Sequence, residues 1–440
     1  MKMLRKTVVI FIFALTLAAA TTAFAIDGEG TQESPFVIET VEDLMLVGDF
    51  PDCYFNLDTD LVIDDYFTPL CTYGEPFSAV FDGCGHTVTI KKYSYKETLG
   101  VFNTNKGTVK NLNVKFTGDE WISKECNVFG GIAGENYGTI DNCNFNGNIK
   151  FSTYNAGKYY FGSIAGKNYG TITNSKTIND IDDRFSNTSY NTGISVKIGG
   201  IAGYNSDDGI INLCAANTTI TRSGDGKGTL YGYGIAEGGT ISTCYALGSG
   251  LTYGISDGGQ VSNCYAAVSG TSYGIAYSSS NFENSLYDSS ISGSKSSETG
   301  IPKTTAAMKM KMTYLRENWD FDNTWGISKD INDGYPYLLW EYPDEESKPL
   351  TETDALEYDG KLIFDVNIDV NTLGKLVCIA TYSESGELLK TFTVPNYNNK
   401  KEIIVALEDD KSASYAKIFA WENAEQIKPT AKNETVTIVR

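Results

Sequence analysis

The sequence predicts an all-β protein, a parallel β-helix with terminal caps followed by a small antiparallel β-sandwich of the immunoglobulin-like kind. Three observations predict it. The stretch YGIAEGGTISTCYALGSG, starting at Tyr233, returns twenty residues later as YGISDGGQVSNCYAAVSG, starting at Tyr253. So short a unit cannot bury an apolar face alone, and neighbouring copies must stack into one core. The same grammar recurs more loosely upstream: a Gly-Ile-Ala-Gly strand, a Gly turn, then Thr-Ile-x-Asn-Cys. After residue 354 it gives way to short alternating runs such as KLIFDVNIDV and KLVCIATYS, the pattern of antiparallel strands.

Residues 1–25 read as a secretory signal peptide. Lys2, Arg5 and Lys6 precede an apolar run, and Ala23-Phe24-Ala25 forms the cleavage site. A secreted or cell-surface location follows. No Cys follows the cleavage site and the C-terminus shows no sorting signal, so release or non-covalent surface retention is expected. Beyond residue 25 no apolar run approaches the roughly 20 residues of a membrane-spanning helix.

The β-helix is expected over residues 26–340, with an N-terminal cap over about 27–50. There Thr40 and the following VEDLMLVG suit an N-capped short helix that could plug the lumen. Aligning the copies on the central apolar residue of each strand gives Val101, Ile132, Ile164, Ile201, Ile235, Ile255 and Ile275. The spacings are 31, 32, 37, 34, 20 and 20 residues. Three short strands per coil are expected. Gly258-Gly259 supplies a corner whose positive φ excludes branched residues. Equivalent positions stack, which predicts one ladder of Asn142, Asn174 and Asn263 and another of Cys143, Cys214, Cys244 and Cys264. Two tyrosine ladders follow in the same way: Tyr245 with Tyr265, facing outward, and Tyr233 with Tyr253 and Tyr273 at the strand start. The longer spacings imply excursions over 154–160, 180–191 and 223–228, read either as loops projecting from one side or as extra coils of poor regularity.

A C-terminal cap is expected over about 300–340, from a helix over 304–315 and an aromatic cluster of Trp319, Phe321, Trp325, Tyr335, Tyr337 and Trp340. An open coil end would otherwise expose strand edges and an apolar lumen. Residues 341–354 are an acidic, Pro-bearing linker, and 355–440 the sandwich, with a hairpin at Ser385-Gly386.

The GGIAGxN-x-GTI-x-NC pattern resembles the GLUG motif, a repeat of bacterial secreted and surface proteins, and that resemblance implies a right-handed parallel β-helix. GEGTQESPFVIETVEDLMLVG and FSAVFDGCGHTVTI are similar to the opening segment and first full coil of such proteins. TTAAMKMKMTYLRENWDFDNTWGI with DGYPYLLW is similar to their closing segment. The C-terminal stretch AKIFAWENAEQIKPT resembles a small module of clostridial extracellular proteins.

Chemistry is sparse in this sequence. The chain has 440 residues, a formal net charge of -20 and one histidine, His86. The charge disfavours nucleic acid and anionic lipid as partners, and a single histidine excludes zinc sites of the two-histidine kind. His86 sits in a Gly-Cys-Gly-His-Thr turn and reads as a corner residue. No catalytic residue and no metal ligand is assigned. Nine cysteines are an odd count for a disulfide framework. The four repeat cysteines read as free core residues, and one bridge among Cys53, Cys71, Cys84 and Cys126 stays open. Asp141 and the trio Asp180, Asp182 and Asp183 are the carboxylates to examine for glycosidase chemistry. The same trio and Asp207-Asp208-Gly209 are candidate calcium ligands, set against ordinary turn residues; no cofactor is otherwise expected.

The function expected is that of a monomeric, non-enzymatic, adhesin-like protein binding an extracellular glycan or protein. Tyr245, Tyr265, Asp180, Asp182 and Asp183 are the candidate binding residues. The alternative is a β-helix polysaccharide lyase or glycoside hydrolase using surface carboxylates.

Overall fold

The computed structural model describes residues 26–118, 122, 125–153, 156–185, 193–223, 228–277, 281–294, 296–328, 331–342, 354–358, 361–367, 376–394, 402–408, 411–421 and 434–439. Up to residue 303 the strands form four long parallel sheets, and each successive strand of a sheet comes from the next pass of the chain. One pass runs through Val128–Gly130 in sheet 1, Ala133–Asn136 in sheet 2, Thr139–Asp141 in sheet 3 and Asn144–Gly147 in sheet 4. The next pass sets Tyr160, Ala165, Thr171 and Lys176 beside Val128, Ala133, Thr139 and Asn144. This is the winding expected of a parallel β-helix. Among the described residues no helix is long and apolar enough to cross a membrane.

Full coils carry four strands, which corrects the expected three. The extra corner lies between sheets 1 and 2 and explains the Gly-rich signature. A Cβ on Gly130 would lie 2.0 Å from the Ala133 carbonyl oxygen, and one on Gly162 2.0 Å from that of Ala165, so only glycine fits. In the shortest coils sheet 1 shrinks to single bridges, Tyr233 to Tyr253 to Tyr273. Their turn is the Gly258-Gly259 corner, with φ of 87° and 73°.

The aligned isoleucines stack as expected. Ile132 donates its backbone N–H to Ile164, Ile164 to Ile201, Ile201 to Ile235, Ile235 to Ile255 and Ile255 to Ile275, at 2.8–3.0 Å, and all are fully buried. With the inward residues of sheets 3 and 4 they form one apolar core from Ile38 to Tyr287.

Among the described residues the long spacings add no extra coil. They are lengthened strands: Lys176–Phe185 and Ala215–Ser223 extend sheet 4, while Gly157–Gly162, Ile194–Gly199 and Thr229–Tyr233 extend sheet 1. Apolar residues close the space between them, with the Phe151 and Phe161 rings stacked at 3.7 Å. The excursion tips at 154–155, 186–192 and 224–227 lie outside the described residues.

At the N-terminal end, helix Val41–Met45 is capped by Thr40. Its hydroxyl accepts the Asp43 N–H at 3.1 Å, while the Asp43 carboxylate accepts the Thr40 N–H at 2.9 Å. Leu44 and Val47 enter the coil core. At the other end the expected single helix is two, Thr305–Met308 and Lys311–Leu315, broken at Lys309-Met310. The aromatic segment that follows packs against the last coils, with Trp319 Nε1 donating to the Asn284 carbonyl oxygen at 2.9 Å. It folds back along the outer face of sheet 4, placing Trp340 Nε1 3.0 Å from the carbonyl oxygen of Leu213.

Most of the expected linker, 343–353, lies outside the described residues. Beyond it seven strands pair antiparallel, except that Asp354–Tyr358 runs parallel to Glu434–Val439. Leu362, Phe364, Val377, Ile379 and Ala416 share one apolar cluster. The hairpin at Ser385-Gly386 is present, with Gly386 at φ 85° and Ser383 bonded to Glu387 at 2.9 Å.

Candidate functional site

Tyr245 and Tyr265 point outward from sheet 4 and stack at 5.2 Å, as their repeat positions require. They are not exposed, which corrects the expectation of a free tyrosine strip. Their side chains are 3% and 0% accessible beneath the returning segment, packed with Tyr314, Trp319, Trp325 and Leu338. The Tyr245 hydroxyl donates to the Glu341 carboxylate at 3.0 Å, and Tyr265 to the Pro336 carbonyl at 2.5 Å. Burial, then the Glu341 charge, pushes the Tyr245 phenol well above its ordinary range.

The Asp180, Asp182 and Asp183 trio does not converge. All three lie on strand Lys176–Phe185, where alternate side chains take opposite faces. Asp180 is exposed, Asp182 accepts the Ser223 hydroxyl at 2.8 Å, and Asp183 is fully buried on the other face. Among the described residues no three His, Cys, Asp or Glu side chains gather as metal ligands. His86 sits in the Gly83–His86 turn, its Nδ1 3.4 Å from Asp60. Asp141 accepts an amide hydrogen bond from Asn174 at 2.9 Å.

All nine cysteines are free thiols. Cys143, Cys214, Cys244 and Cys264 are fully buried at one corner, as expected, with Ser175 and Ser285 filling the coils between and after them. The corner residue just before each takes positive φ, and Asn111, Asn142, Asn174, Asn263 and Asn284 dominate that position. A second asparagine ladder went unread in the sequence. Asn105, Asn136, Asn168 and Asn205 are buried, each amide donating to the next at 2.8 Å. Its signal was the Asn of GENYGTI and GKNYGTI.

The surface left open with the richest chemistry is the outer face of sheets 1 and 2. Sheet 2 aligns Glu135, Lys167 and Tyr204 across three coils, and sheet 1 aligns Tyr160, Lys197 and Tyr231. In the adjoining turn Tyr137 and Tyr169 stack at 4.5 Å and 7°. Tyr204 meets Tyr169 and Tyr160 edge-on at 6.1 and 5.8 Å. Lys167 pairs with Glu135 at 2.9 Å and lies 5.3 Å from the Tyr160 ring; Lys197 pairs with Glu237 and lies 5.6 Å from the same ring. Burial opposes the Lys167 charge, but Glu135 outweighs it and holds the ammonium above the lysine range. Burial, then Glu135 and Tyr169, pushes the Tyr137 phenol up to about 12. At neutral pH Tyr137 and Tyr169, both pushed up by burial, are therefore neutral phenols beside the ion pairs. The sequence signal of this face was readable: Glu135 and Lys167 occupy the same repeat position with opposite charge.

A shallow groove of about 1030 Å³ lies on sheet 3, lined by Gln260, Ser262, Asn281, Glu283 and Glu298 among others. Two glutamates, Glu283 and Glu298, are among its lining residues, and no Lys or Arg is.

No protein-family model matches the chain. Over 61 residues it is 41% identical to a provisionally named Gly-rich membrane protein of Evansella cellulosilytica. That covers 14% of this chain, which spans 7% of the length of this curated relative. Among solved structures, a provisionally assigned immunoglobulin A1 protease from Bacteroides ovatus is similar at 20% identity and a TM-score of 0.46, covering 71% of this chain and 94% of that one. An IgA1 protease is similar at 15% identity and a TM-score of 0.38, covering 61% of this chain and 21% of that one.

Proposed function

We propose that this chain is a monomeric, secreted or cell-surface, adhesin-like protein: a right-handed parallel β-helix of GLUG type with an immunoglobulin-like sandwich behind it. It binds an extracellular glycan along sheets 1 and 2 and performs no chemistry on it. The observation that carries this reading is the aligned face of Tyr137, Tyr160, Tyr169, Tyr204, Lys167 and Lys197. It runs along the coil axis, and its cations are matched by Glu135 and Glu237. Phenols, ammoniums and carboxylates offer donors and acceptors for a polymer rich in hydroxyl groups, and the matched charges favour a neutral one. No ion is required, so chelation should leave binding unchanged.

Glycan-array binding tests it. The chain should bind neutral polysaccharides, and the pair Lys167→Ala with Tyr204→Ala should weaken binding by about 1–2 kcal/mol, the scale of one or two polar contacts. Unchanged binding by that double variant would sink the assignment of the face.

The groove on sheet 3 motivates a second reading, a glycoside hydrolase using Glu283 and Glu298. It predicts turnover that either Glu→Gln variant abolishes. A lyase-type site would also need a basic group, which the lining does not supply.

A further inference from the structure

On the face of sheets 1 and 2 the rings are partly occupied by one another: Tyr137 and Tyr169 stack, and Tyr204 meets Tyr169 and Tyr160 edge-on. A pyranose ring that packs its C–H face against an aromatic needs an open ring. The most exposed rings among the described residues lie on the first coils: Tyr66, Tyr73 and Tyr95 are 52%, 74% and 65% exposed. Such exposure of large side chains in one place is unusual for a soluble surface.

The backbone arranges this cluster. In strand Leu61–Phe67 the register shifts between Ile63, paired with Ile90, and Tyr66, paired with Lys92. Asp64 and Asp65 thus both lie opposite Lys91, a β-bulge that breaks inward and outward alternation and leaves Asp64, Asp65 and Tyr66 all exposed. On the neighbouring coil the sequence KKYSYK turns Tyr93 inward and Tyr95 outward. Tyr95 comes to rest 5.9 Å from Tyr66 at 34°. Lys92 lies 5.6 Å from the Tyr66 ring, and Lys96 lies 4.7 Å from the Tyr73 ring while donating to its hydroxyl. Lys91 pairs with Asp64 at 2.5 Å.

We infer that Tyr66, Tyr73 and Tyr95 form a stacking platform for a neutral pyranose unit, distinct from the face of sheets 1 and 2. The inference rests on the reading of the chain as a glycan binder and names where sugar rings would stack. Lys91 pairs with Asp64, and the three lysines 91, 92 and 96 are matched in number by Asp64, Asp65 and Glu97 of the same two segments. The patch therefore carries no excess charge to select an acidic sugar, while its carboxylates and ammoniums can meet ring hydroxyls around the stack.

Affinity electrophoresis of the full chain, in gels containing xylan, galactomannan or polygalacturonate, tests it. Retardation is expected in a neutral gel, with Tyr66→Ala and Tyr95→Ala each weakening it about tenfold, and Tyr66→Phe having little effect. These rings are exposed, so an unchanged thermal midpoint should show that the variants fold. Full retardation of a Tyr66→Ala, Tyr73→Ala, Tyr95→Ala triple variant, lost instead in the Lys167→Ala, Tyr204→Ala variant, overturns the platform and leaves the glycan-binding reading standing. Retardation by polygalacturonate alone, suppressed by salt, overturns the neutral assignment. Retardation by no gel overturns platform and reading together.

Discussion

Cysteine recurs at the corner before sheet 4 because of two hydrogen bonds. The Cys214 N–H donates to Cys244 Sγ at 3.4 Å, and Cys244 Sγ lies 3.1 Å from the Ser242 carbonyl oxygen. A small side chain with one weak donor and one acceptor satisfies both backbone groups, and serine does so at 175 and 285. Cys244→Ser should therefore cost less than about 1 kcal/mol, whereas Cys244→Val, which leaves a buried N–H unmet, should cost about 1–3 kcal/mol in chemical denaturation. Burial raises the Cys143 thiol to about 12. In a thiol-reagent assay of the folded chain the exposed Cys84 should react first, Cys53 more slowly, and the seven buried thiols only after unfolding. A prompt count well above two would contradict the ladder. The buried asparagine ladder is stricter: Asn168→Ala leaves the amides of Asn136 and Asn205 short of a partner and should cost about 2–3 kcal/mol. Asp82 supplies a pH signature. Burial opposes its charge, but bonds from Asn111, the Cys84 N–H and Lys110 together hold its carboxyl below the aspartate range. Its folded value is thus below the unfolded one, about 3.9. The stabilisation is complete above that pH and is lost as pH falls through the folded value. Asp82→Asn should accordingly lower the thermal midpoint at pH 6, and the difference from the parent should shrink as pH falls through the folded value.

At the scale of elements, the returning segment has the largest consequence. Glu341, with a side chain 1% exposed, is held by Lys176 at 2.5 Å and by Tyr245. Truncating it to Ala should leave the Lys176 ammonium and the Tyr245 hydroxyl without their carboxylate. A loss of about 3–5 kcal/mol is expected by thermal or chemical unfolding, the scale of breaking a buried pair. Nothing local in ALGSG or AAVSG announces that a segment 49 to 96 residues downstream will cover Tyr245 and Tyr265. Their outward direction was legible from strand parity; their burial depended on a distant partner. The helix at Val41–Met45 was legible because its capping box is local. The single helix expected over 304–315 failed at Lys309-Met310, where the chain turns to follow sheet 4.

At the scale of the whole molecule, the stacking was legible because every coil repeats the same inward residues: Ile132, Ile164 and Ile201 were aligned in the sequence and are bonded in space. The number of sides was not, since the corner between sheets 1 and 2 is marked by small residues rather than by a change of pattern. Nor was the lengthening of strands in sheets 1 and 4, where the described residues of 149–162 and 176–199 continue strands. The candidate face was half legible: Glu135 and Lys167 advertise their pairing, but Tyr160 and Lys197 lie in the lengthened strands where the repeat pattern fades. Under the proposed function these parts form a binding surface without turnover. The most direct test mixes the full chain with a neutral polysaccharide that retains it and follows binding and polymer length in the same sample. Saturable binding with no new reducing ends or unsaturated products is the expected result. Progressive shortening of the polymer, abolished by Glu283→Gln or Glu298→Gln, would contradict it.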